Sequence, residues 1–539
     1  MKNVFWAILA CVVLLTCTVC SPALAQANEP EKITWFINRS ALPSNWNLDE
    51  PIFKEITAAT GVTCELIIPA EDPDTKLNLL MVSGQMPDII TTSNRNLIAE
   101  MVKSDMVWDL DEFFKTYLPD THLFTDFAAD QKNAMIKQDG GWYGYPSHIV
   151  SAGEQEIFGY PTQAINDYYQ KAKYDYNFGI YFYKEYVDKL GIDVNAIKTE
   201  EQLFDALAKI AAAGLTSDTG ASVYTMMTDG IYTARYAMNT ILANTFGAMP
   251  VGDNGQYQSL YYSPEYRNAV SFLNGCGKLG YLTESQLIMD EPTVVSICNS
   301  GRSAVFIGGL STLKSGADVV DKWVSPGAVV STAGAKPVMS YNGTVTTGWL
   351  NTLVSKSTEK QAACAKFIDF MSSKKGMLLH MFGIEGTDYT YDADGCLHRT
   401  DAGNSKIEDG VSGMFGFYAF HNTAFARSVS WLDTTKESPT LKYGNSGNVV
   451  IYDGSLFNLP SGYVESGSSY AYTLTEVENY IEPAIAKLIL APDDATFTSM
   501  YDAFLQELDK LGLRAYDEYL NEQVQKNCAE KGVTLAPIN

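Results

Sequence analysis

Histidine, basic charge and paired cysteines are all scarce in this chain, and each scarcity removes a class of function. Only five histidines occur among 539 residues, His122, His148, His380, His398 and His421, and none stands in an H-E-x-x-H pattern. The G-x-S-x-G elbow and the G-x-x-x-x-G-K-[ST] phosphate loop are also missing, so the chain offers no zinc-protease, serine-hydrolase or P-loop chemistry. Carboxylate pairs of the glycosidase kind stay open, because the fold rather than sequence spacing brings them together. Lys and Arg total 38 against 63 Asp and Glu, a net charge of −25. That balance argues against nucleic acid and anionic lipid surfaces, both of which need basic patches. Beyond residue 25 the cysteines are Cys64, Cys276, Cys298, Cys364, Cys396 and Cys528, with no C-x-x-C among them and no histidine at ligand spacing. Neither a zinc site nor a redox motif is supported, and no cofactor is expected. In an exported protein some of these thiols can pair, yet a chain of this length can build its core without disulfides.

The chain begins with an export segment. Lys2 supplies the positive end, Val4 to Leu15 are almost wholly apolar, and Ala23-Leu24-Ala25 is a small-x-small cleavage pattern, placing the mature start near Gln26. The run is too short for a membrane span, which needs about 20 apolar residues. Cys17 and Cys20 lie where a lipoprotein carries its modified cysteine, although Thr16 and Val19 are poor neighbours for that processing. An uncleaved anchor is the third reading of the same stretch. The remaining length exceeds what one core usually serves, so two domains are expected.

Beyond the export segment the chain alternates strand and helix. Ile33 to Ile37 reads as a strand, Pro51 to Thr60 as a helix ended by Gly61, and Thr63 to Ile68 as a second strand. Asp74-Thr75 begins a helix through Val82 that stops at Gly84, and Pro87-Asp88-Ile89-Ile90 opens a third strand. Short connections in this order mean a parallel sheet covered on both faces, with ligands beyond the carboxyl ends of its strands. A second α/β region is expected from Phe178 to Tyr183 as a strand, Lys184 to Leu190 as a helix closed by Gly191, and a capped helix from Thr199 to Ala212. Glu265 to Leu279 is helical, Ala304 to Ile307 and Val345 to Val354 are strands, and Thr358 to Ser373 is a helix. The elements of 402–467 are unassigned, and Leu474 to Leu488 and Asp494 to Lys526 are read as helices.

Several segments, in order, resemble one family. Val82-Ser83-Gly84-Gln85-Met86-Pro87-Asp88-Ile89-Ile90, then Trp108-Asp109-Leu110-Asp111-Glu112-Phe113, then Trp142-Tyr143-Gly144-Tyr145-Pro146 look like successive motifs of the extracellular solute-binding proteins of ABC transporters. Tyr183-Lys184-Glu185-Tyr186-Val187-Asp188-Lys189-Leu190-Gly191, Val354-Ser355-Lys356-Ser357 and Gly383-Ile384-Glu385-Gly386-Thr387-Asp388-Tyr389-Thr390 continue the likeness, which spans about residues 33–395. Tyr183 departs from it, standing where many relatives carry Arg. The resemblance is to the large oligosaccharide-binding members. It implies an α/β, two-lobed type 2 periplasmic-binding-protein fold with discontinuous lobes and a helical C-terminal region. The division expected is an export segment at 1–25, lobe 1 at 26–146, lobe 2 at 147–340, a return to lobe 1 at 341–400, and 401–539 completing the lobes. The implied function is capture of a carbohydrate between the lobes and delivery to a membrane permease, by an extracytoplasmic monomer that performs no chemistry. A secreted carbohydrate hydrolase, a binder of peptides or other polar solutes, and a sensory protein of the same fold are the alternatives.

Sugars present flat C–H faces to aromatic rings and hydroxyls to polar side chains. Trp46, Tyr143, Tyr145, Trp349 and Trp431 are therefore the candidate stacking residues, each weighed against a plain core role, and Asn38, Arg39, Ser40, Ser93, Asn94 and Arg95 are candidate polar contacts at strand ends. His148 lies just past the expected crossover, where a structural role outweighs ligand contact. Asp392-Ala393-Asp394-Gly395 superficially resembles a calcium loop, but the twelfth position is Gly403, so a hairpin turn is expected.

Overall fold

The computed structural model describes residues 29–38, 46–70, 72–172, 174, 177–310, 313, 322–342, 345, 346, 348–409, 418–465 and 467–538. The export segment, Cys17, Cys20, Arg39 and Ser40 lie outside the described residues. The described strands are β1 (Glu31–Ile37), β2 (Val62–Ile67), β3 (Ile89–Thr92), β4 (Tyr145–Pro146), β5 (Val150–Ser151), β6 (Phe178–Tyr183) and β7 (Val305–Gly309). They continue with β8 (Trp323–Val324), β9 (Val338–Tyr341), β10 (Val345–Thr346), β11 (Asn351–Val354), β12 (Tyr389–Tyr391), β13 (Leu397–Arg399) and β14 (Val450–Asp453).

The first lobe is built on a sheet of order β2-β1-β3-β11-β4. β1 pairs parallel with β2 and β3, as strand-helix-strand units require. β11 arrives from more than 250 residues further on and runs antiparallel between β3 and β4. Alternation along β1 feeds both faces: Ile33, Trp35 and Ile37 join one cluster with Phe53, Phe113, Trp142 and Phe367, while Phe36 joins Leu77, Ile90, Met101 and Leu353 on the other. Helices close these faces with identifiable caps. Gly61 ends the first at φ 70°, a left-handed turn that costs glycine nothing. The next is Pro73–Ser83, and its N-cap is Asp72, which accepts from the Thr75 N–H at 2.7 Å, two residues before the expected start at Asp74.

The second lobe centres on the antiparallel sheet β7-β6-β8. Residues 224–228 run parallel beside β7, through the Met227 N–H to the Val305 carbonyl at 2.8 Å and the Ile307 N–H to the Met227 carbonyl at 3.0 Å. The helix Glu200–Ala212 begins with a Thr199–Gln202 capping box, and Pro264–Lys278 crosses the C-terminal helix Ser469–Ile489 at close range. Gly277 makes that approach feasible, since a Cβ there would lie 2.3 Å from the Ile489 carbonyl oxygen. Ile481, Ile485, Phe497, Phe504 and Leu520 pack into the same core as Phe182, Leu207 and Phe272, so the C-terminal helices belong to lobe 2. The expected single helix from Asp494 to Lys526 is two helices, Asp494–Lys510 and Leu513–Lys531, broken at Gly512 with φ 90°. Val345 to Val354 is likewise two short strands, β10 and β11.

Ser147, just past β4, and residues 348–350, just before β11, bond to each other: the Gly348 N–H donates to the Ser147 carbonyl at 2.7 Å and the Ser147 N–H to the Leu350 carbonyl at 2.9 Å. Ile149 bridges to Asn422, next to Ala419 and Phe420, which pack in the same cluster as Trp35 and Phe367, so this stretch also belongs to lobe 1. All six described cysteines are unpaired and buried. No helix among the described residues is long and apolar enough to cross a membrane.

Candidate functional site

The carboxyl ends of β1 and β3 carry a polar lattice. The Asn38 amide donates to Asp74 Oδ1 at 2.8 Å and Thr92 Oγ1 at 3.1 Å. Asn94 caps the helix Arg95–Lys103 by accepting from the Asn96 and Leu97 N–H groups, and donates to Asp74 Oδ2 at 2.9 Å. One carboxylate thus spans both strand ends. Arg95 grips the two Asp139 oxygens at 2.7 and 2.9 Å, tying this rim to the end of the helix Ala129–Asp139. Ser93 lies half-buried between them. Of the predicted strand-end residues, Asn38 and Asn94 share Asp74 and Arg95 lies on the same rim, where they chiefly hold the rim in shape. Asn351, the first residue of β11, sits on the same rim opposite Thr92 and Pro146; it is buried, and its Oδ1 has no partner among the described residues.

The predicted aromatics separate. Trp349, two residues before β11, is 41% exposed. Trp46 donates through Nε1 to Thr57 Oγ1 at 3.0 Å and packs on Phe53, while Tyr145 is 2% exposed between Phe127 and Phe420, so both rings are spent on the core of lobe 1. Tyr143 precedes β4, at the end of the sheet away from the rim, against the cluster of Phe36, Ile90 and Leu353. Trp431, 48% exposed, lies on the His398 ring at 5.0 Å, beside the hairpin of β12 and β13 rather than at a strand end. Asp392-Ala393-Asp394-Gly395 closes that hairpin, with Asp392 Oδ1 accepting from the Asp394 and Cys396 N–H groups.

Just past β4, His148 adopts φ 49° and stacks on His421 with ring centroids 4.5 Å apart. Burial, then the neighbouring His148, His380 and Arg399, holds the His421 imidazole down to about 3, so it is neutral at any ordinary pH.

Lobe 2 contributes a wall that sequence reasoning missed. Residues 224–228 end at Asp229, level with the end of β7, and Phe178 starts the antiparallel β6 at that same edge. The chain then turns through Gly230 at φ 63° into a π-helix, Ala234–Leu242, whose first N–H groups donate to Glu482 at 2.9 Å. Helices of this wide kind are rare and gather at functional sites. Phe178 stacks on Tyr236 at 5.9 Å, and Tyr232 meets Tyr236 edge-on at 6.0 Å. Asp229 is 7% exposed; burial, followed by the charge of Glu291, pushes its carboxyl well above the usual range. Its Oδ2 is buried with no partner among the described residues, and Asp229 borders a cavity of about 10 Å³ with Tyr232, Tyr236, Glu291, Val294 and Val295. The one signal in the sequence was Thr228-Asp229-Gly230 followed by closely spaced tyrosines. A separate cavity of about 450 Å³ lies between the helix Gln163–Lys171 and residues 434–445, and none of these strand-end residues lines it.

A family model described as bacterial extracellular solute-binding protein matches residues 47–378. Among solved structures, the chain is similar to the ABC-transporter substrate-binding protein FusA of Streptococcus pneumoniae, solved in complex with kestose, at 16% identity and TM-score 0.64, covering 93% of this chain and 100% of that one. A human-milk-oligosaccharide (HMO)-binding solute-binding protein of Bifidobacterium longum infantis aligns at 13% identity and TM-score 0.63, over 92% of this chain and 98% of its own. The alginate-binding protein AlgQ2 aligns at 14% identity and TM-score 0.63, over the same 92% and 98%. At such identities the likeness shows the fold, a two-lobed periplasmic-binding architecture. No curated protein sequence matches the chain.

Proposed function

Because the chain belongs to the bacterial extracellular solute-binding proteins, we propose that it captures an oligosaccharide between its lobes and hands it to the permease of an ABC importer. The observation that carries this reading is the pair of strand-end faces. Lobe 1 presents the Asn38–Asp74–Asn94 lattice with Trp349 nearby, and lobe 2 presents Phe178, Tyr232 and Tyr236 around Asp229. Rings beside carboxylate and amide groups suit a ligand with apolar C–H faces and a hydroxylated edge. Kestose, milk oligosaccharides and alginate appear in the names of the similar structures, which favours carbohydrate over peptide. The chain segments that connect the lobes form the hinge. A ligand touching both faces favours the closed arrangement, and that shift of population is what a permease would read.

The protein works in this reading outside the cytoplasm as a monomer, held to the membrane by lipid on Cys17 or Cys20 or released after Ala25, and it leaves its ligand chemically unchanged. A hydrolase is the second reading, because Asp229 and Glu291 line one cavity and carboxylate pairs are what glycoside cleavage uses. The test is a titration of the purified mature protein with oligosaccharides and peptides, followed by thermal midpoint. A saturable rise with an oligosaccharide recovered intact supports capture. A response to peptides alone sinks the carbohydrate assignment, and products of cleavage sink the claim of no chemistry.

A further inference from the structure

One stretch of lobe 2 reaches across and touches lobe 1. Residues 456–465 are tied to the C-terminal helix Leu513–Lys531, where the Asn527 amide donates to the Leu456 and Asn458 carbonyls at 3.0 and 2.7 Å. The Tyr519 hydroxyl donates to the Tyr463 carbonyl, the Tyr463 and Tyr516 hydroxyls share a hydrogen bond at 2.7 Å, and Val464 is buried in the lobe 2 core. Between these anchors the strap meets the other lobe. The Ser461 N–H donates to the Gln138 carbonyl at 3.2 Å, in the last turn of the lobe 1 helix Ala129–Asp139. A Cβ at Gly462 would lie 2.5 Å from the Ala99 Cβ, so the strap lies directly on the helix Arg95–Lys103. Ion pairs flank the contact, Lys137 Nζ to Glu530 Oε2 at 2.8 Å and Lys103 Nζ to Glu465 Oε1 at 3.7 Å, each a lobe 1 lysine facing a lobe 2 carboxylate. The second pair is largely exposed and contributes little.

Two observations place this contact on the ligand side and away from the joining segments. Asp130, in the first turn of the helix Ala129–Asp139, accepts from the Ser151 hydroxyl at 2.8 Å, and Ser151 pairs with Val345 of β10, through which the chain returns to β11. Gln138 lies eight residues further along that helix, about 12 Å at the rise of an α-helix. Its neighbour Asp139 is the residue that grips Arg95 on the strand-end rim. Hinge opening, the motion by which two lobes admit a ligand, pulls these surfaces apart. We propose that residues 456–465 form a latch that holds the lobes together on the ligand side before any ligand arrives. The latch raises the share of molecules in the binding arrangement, and apparent affinity rises in proportion to that share. One backbone bond and exposed ion pairs are individually weak, so the latch also releases.

The experiment uses no ligand, so its failure would leave the oligosaccharide reading standing. Amide hydrogen exchange and small-angle X-ray scattering are measured on the mature protein, on Ala99→Phe, on Lys137→Glu and Glu530→Lys, and on the double variant K137E/E530K. In the unsubstituted protein the Ser461 amide should exchange at least about 10-fold more slowly than a free amide. A99F should lift the strap, abolish that protection and raise the radius of gyration by about 1 Å, on the roughly 24 Å of a folded chain this long. K137E and E530K should each speed Ser461 exchange by about 3-fold, the factor an exposed pair supplies, and the swapped pair should restore the original rate. Lys137 and Glu530 are exposed, so these variants decide the matter if A99F does not fold. An unprotected Ser461 amide in the unsubstituted protein, an unchanged radius in A99F, or no restoration by the swapped pair overturns the latch. So does a smaller radius in A99F, which would put the strap behind the hinge, where it opposes closure.

Discussion

Replacing Asp88 with alanine should destabilise the first lobe by about 3–5 kcal/mol, the range for breaking a buried charged network by removing one partner. Asp88 is only 8% exposed. Its Oδ2 accepts from the Thr34 N–H at 2.7 Å and the Thr34 hydroxyl at 2.9 Å, and its Oδ1 accepts from the Thr358 hydroxyl at 2.6 Å. Lys360 at 3.4 Å is partly exposed, and a pair of that kind adds at most about 1 kcal/mol. Three bonds to a charged acceptor at about 1.5 kcal/mol each therefore set the scale. Burial alone would push this carboxyl up, but the bonds from Thr358 and Thr34 and the charge of Lys360 outweigh it and leave it below the usual value. The residue joins β1, the entry to β3 and the loop after β11, so it fastens the returning strand into the sheet. Asp88→Asn keeps the volume but presents an amide to the Thr34 N–H or the Thr358 hydroxyl, and should cost about half as much. The assay is urea unfolding, reading the midpoint at constant slope. A loss below about 1 kcal/mol in Asp88→Ala, far under the range for such a network, would refute the assignment of this motif as a staple.

His380 is 1% exposed, and burial lowers its imidazole to about 4 despite the bond to the Met371 carbonyl. Protons therefore enter the unfolded state first: the stabilisation is complete above the ordinary histidine value and is lost as pH falls towards 4, about 2–3 kcal/mol by pH 4.5. His380→Gln should lack that part of the pH slope in chemical unfolding, and equal slopes would show that the ring is not buried neutral. Asn274, 1% exposed, donates to the Leu488, Ile489 and Ala491 carbonyls at 3.2, 3.1 and 2.8 Å at the end of a C-terminal helix; Asn274→Ala should cost about 2–3 kcal/mol for the orphaned acceptors, read from the urea midpoint. Trp349→Ala, at an exposed ring, should leave stability within about 0.5 kcal/mol while weakening ligand binding by about 10-fold, measured by calorimetry; unchanged binding removes Trp349 from the site.

Much of both lobes is legible in the sequence because their elements are short, capped and alternately patterned. Pro51–Thr60 with Gly61, Lys184–Leu190 with Gly191, and Glu200–Ala212 after Thr199 have boundaries marked by local chemistry. The break at Gly512 was hidden because helical period continues across it. The place of β11 between β3 and β4 cannot be read locally, since it depends on pairing across more than 250 residues. The site was harder for the same reason. Strand-end position drew attention to Asn38 and Asn94, but composition cannot tell a ring packed on Phe53, like Trp46, from one left partly exposed, like Trp349. Asp229 escaped because its meaning comes from burial, an unpartnered Oδ2 and the tyrosines that follow it, Tyr232 in the turn and Tyr236 on an unusual helix.

The most direct test of the account is to hold the mature protein with its tightest oligosaccharide through a long incubation, measuring binding heat at the start and the mass of the recovered sugar at the end. The account predicts saturable binding with one ligand per chain and a sugar of unaltered mass. A shortened sugar, or the absence of binding by any oligosaccharide, would contradict it.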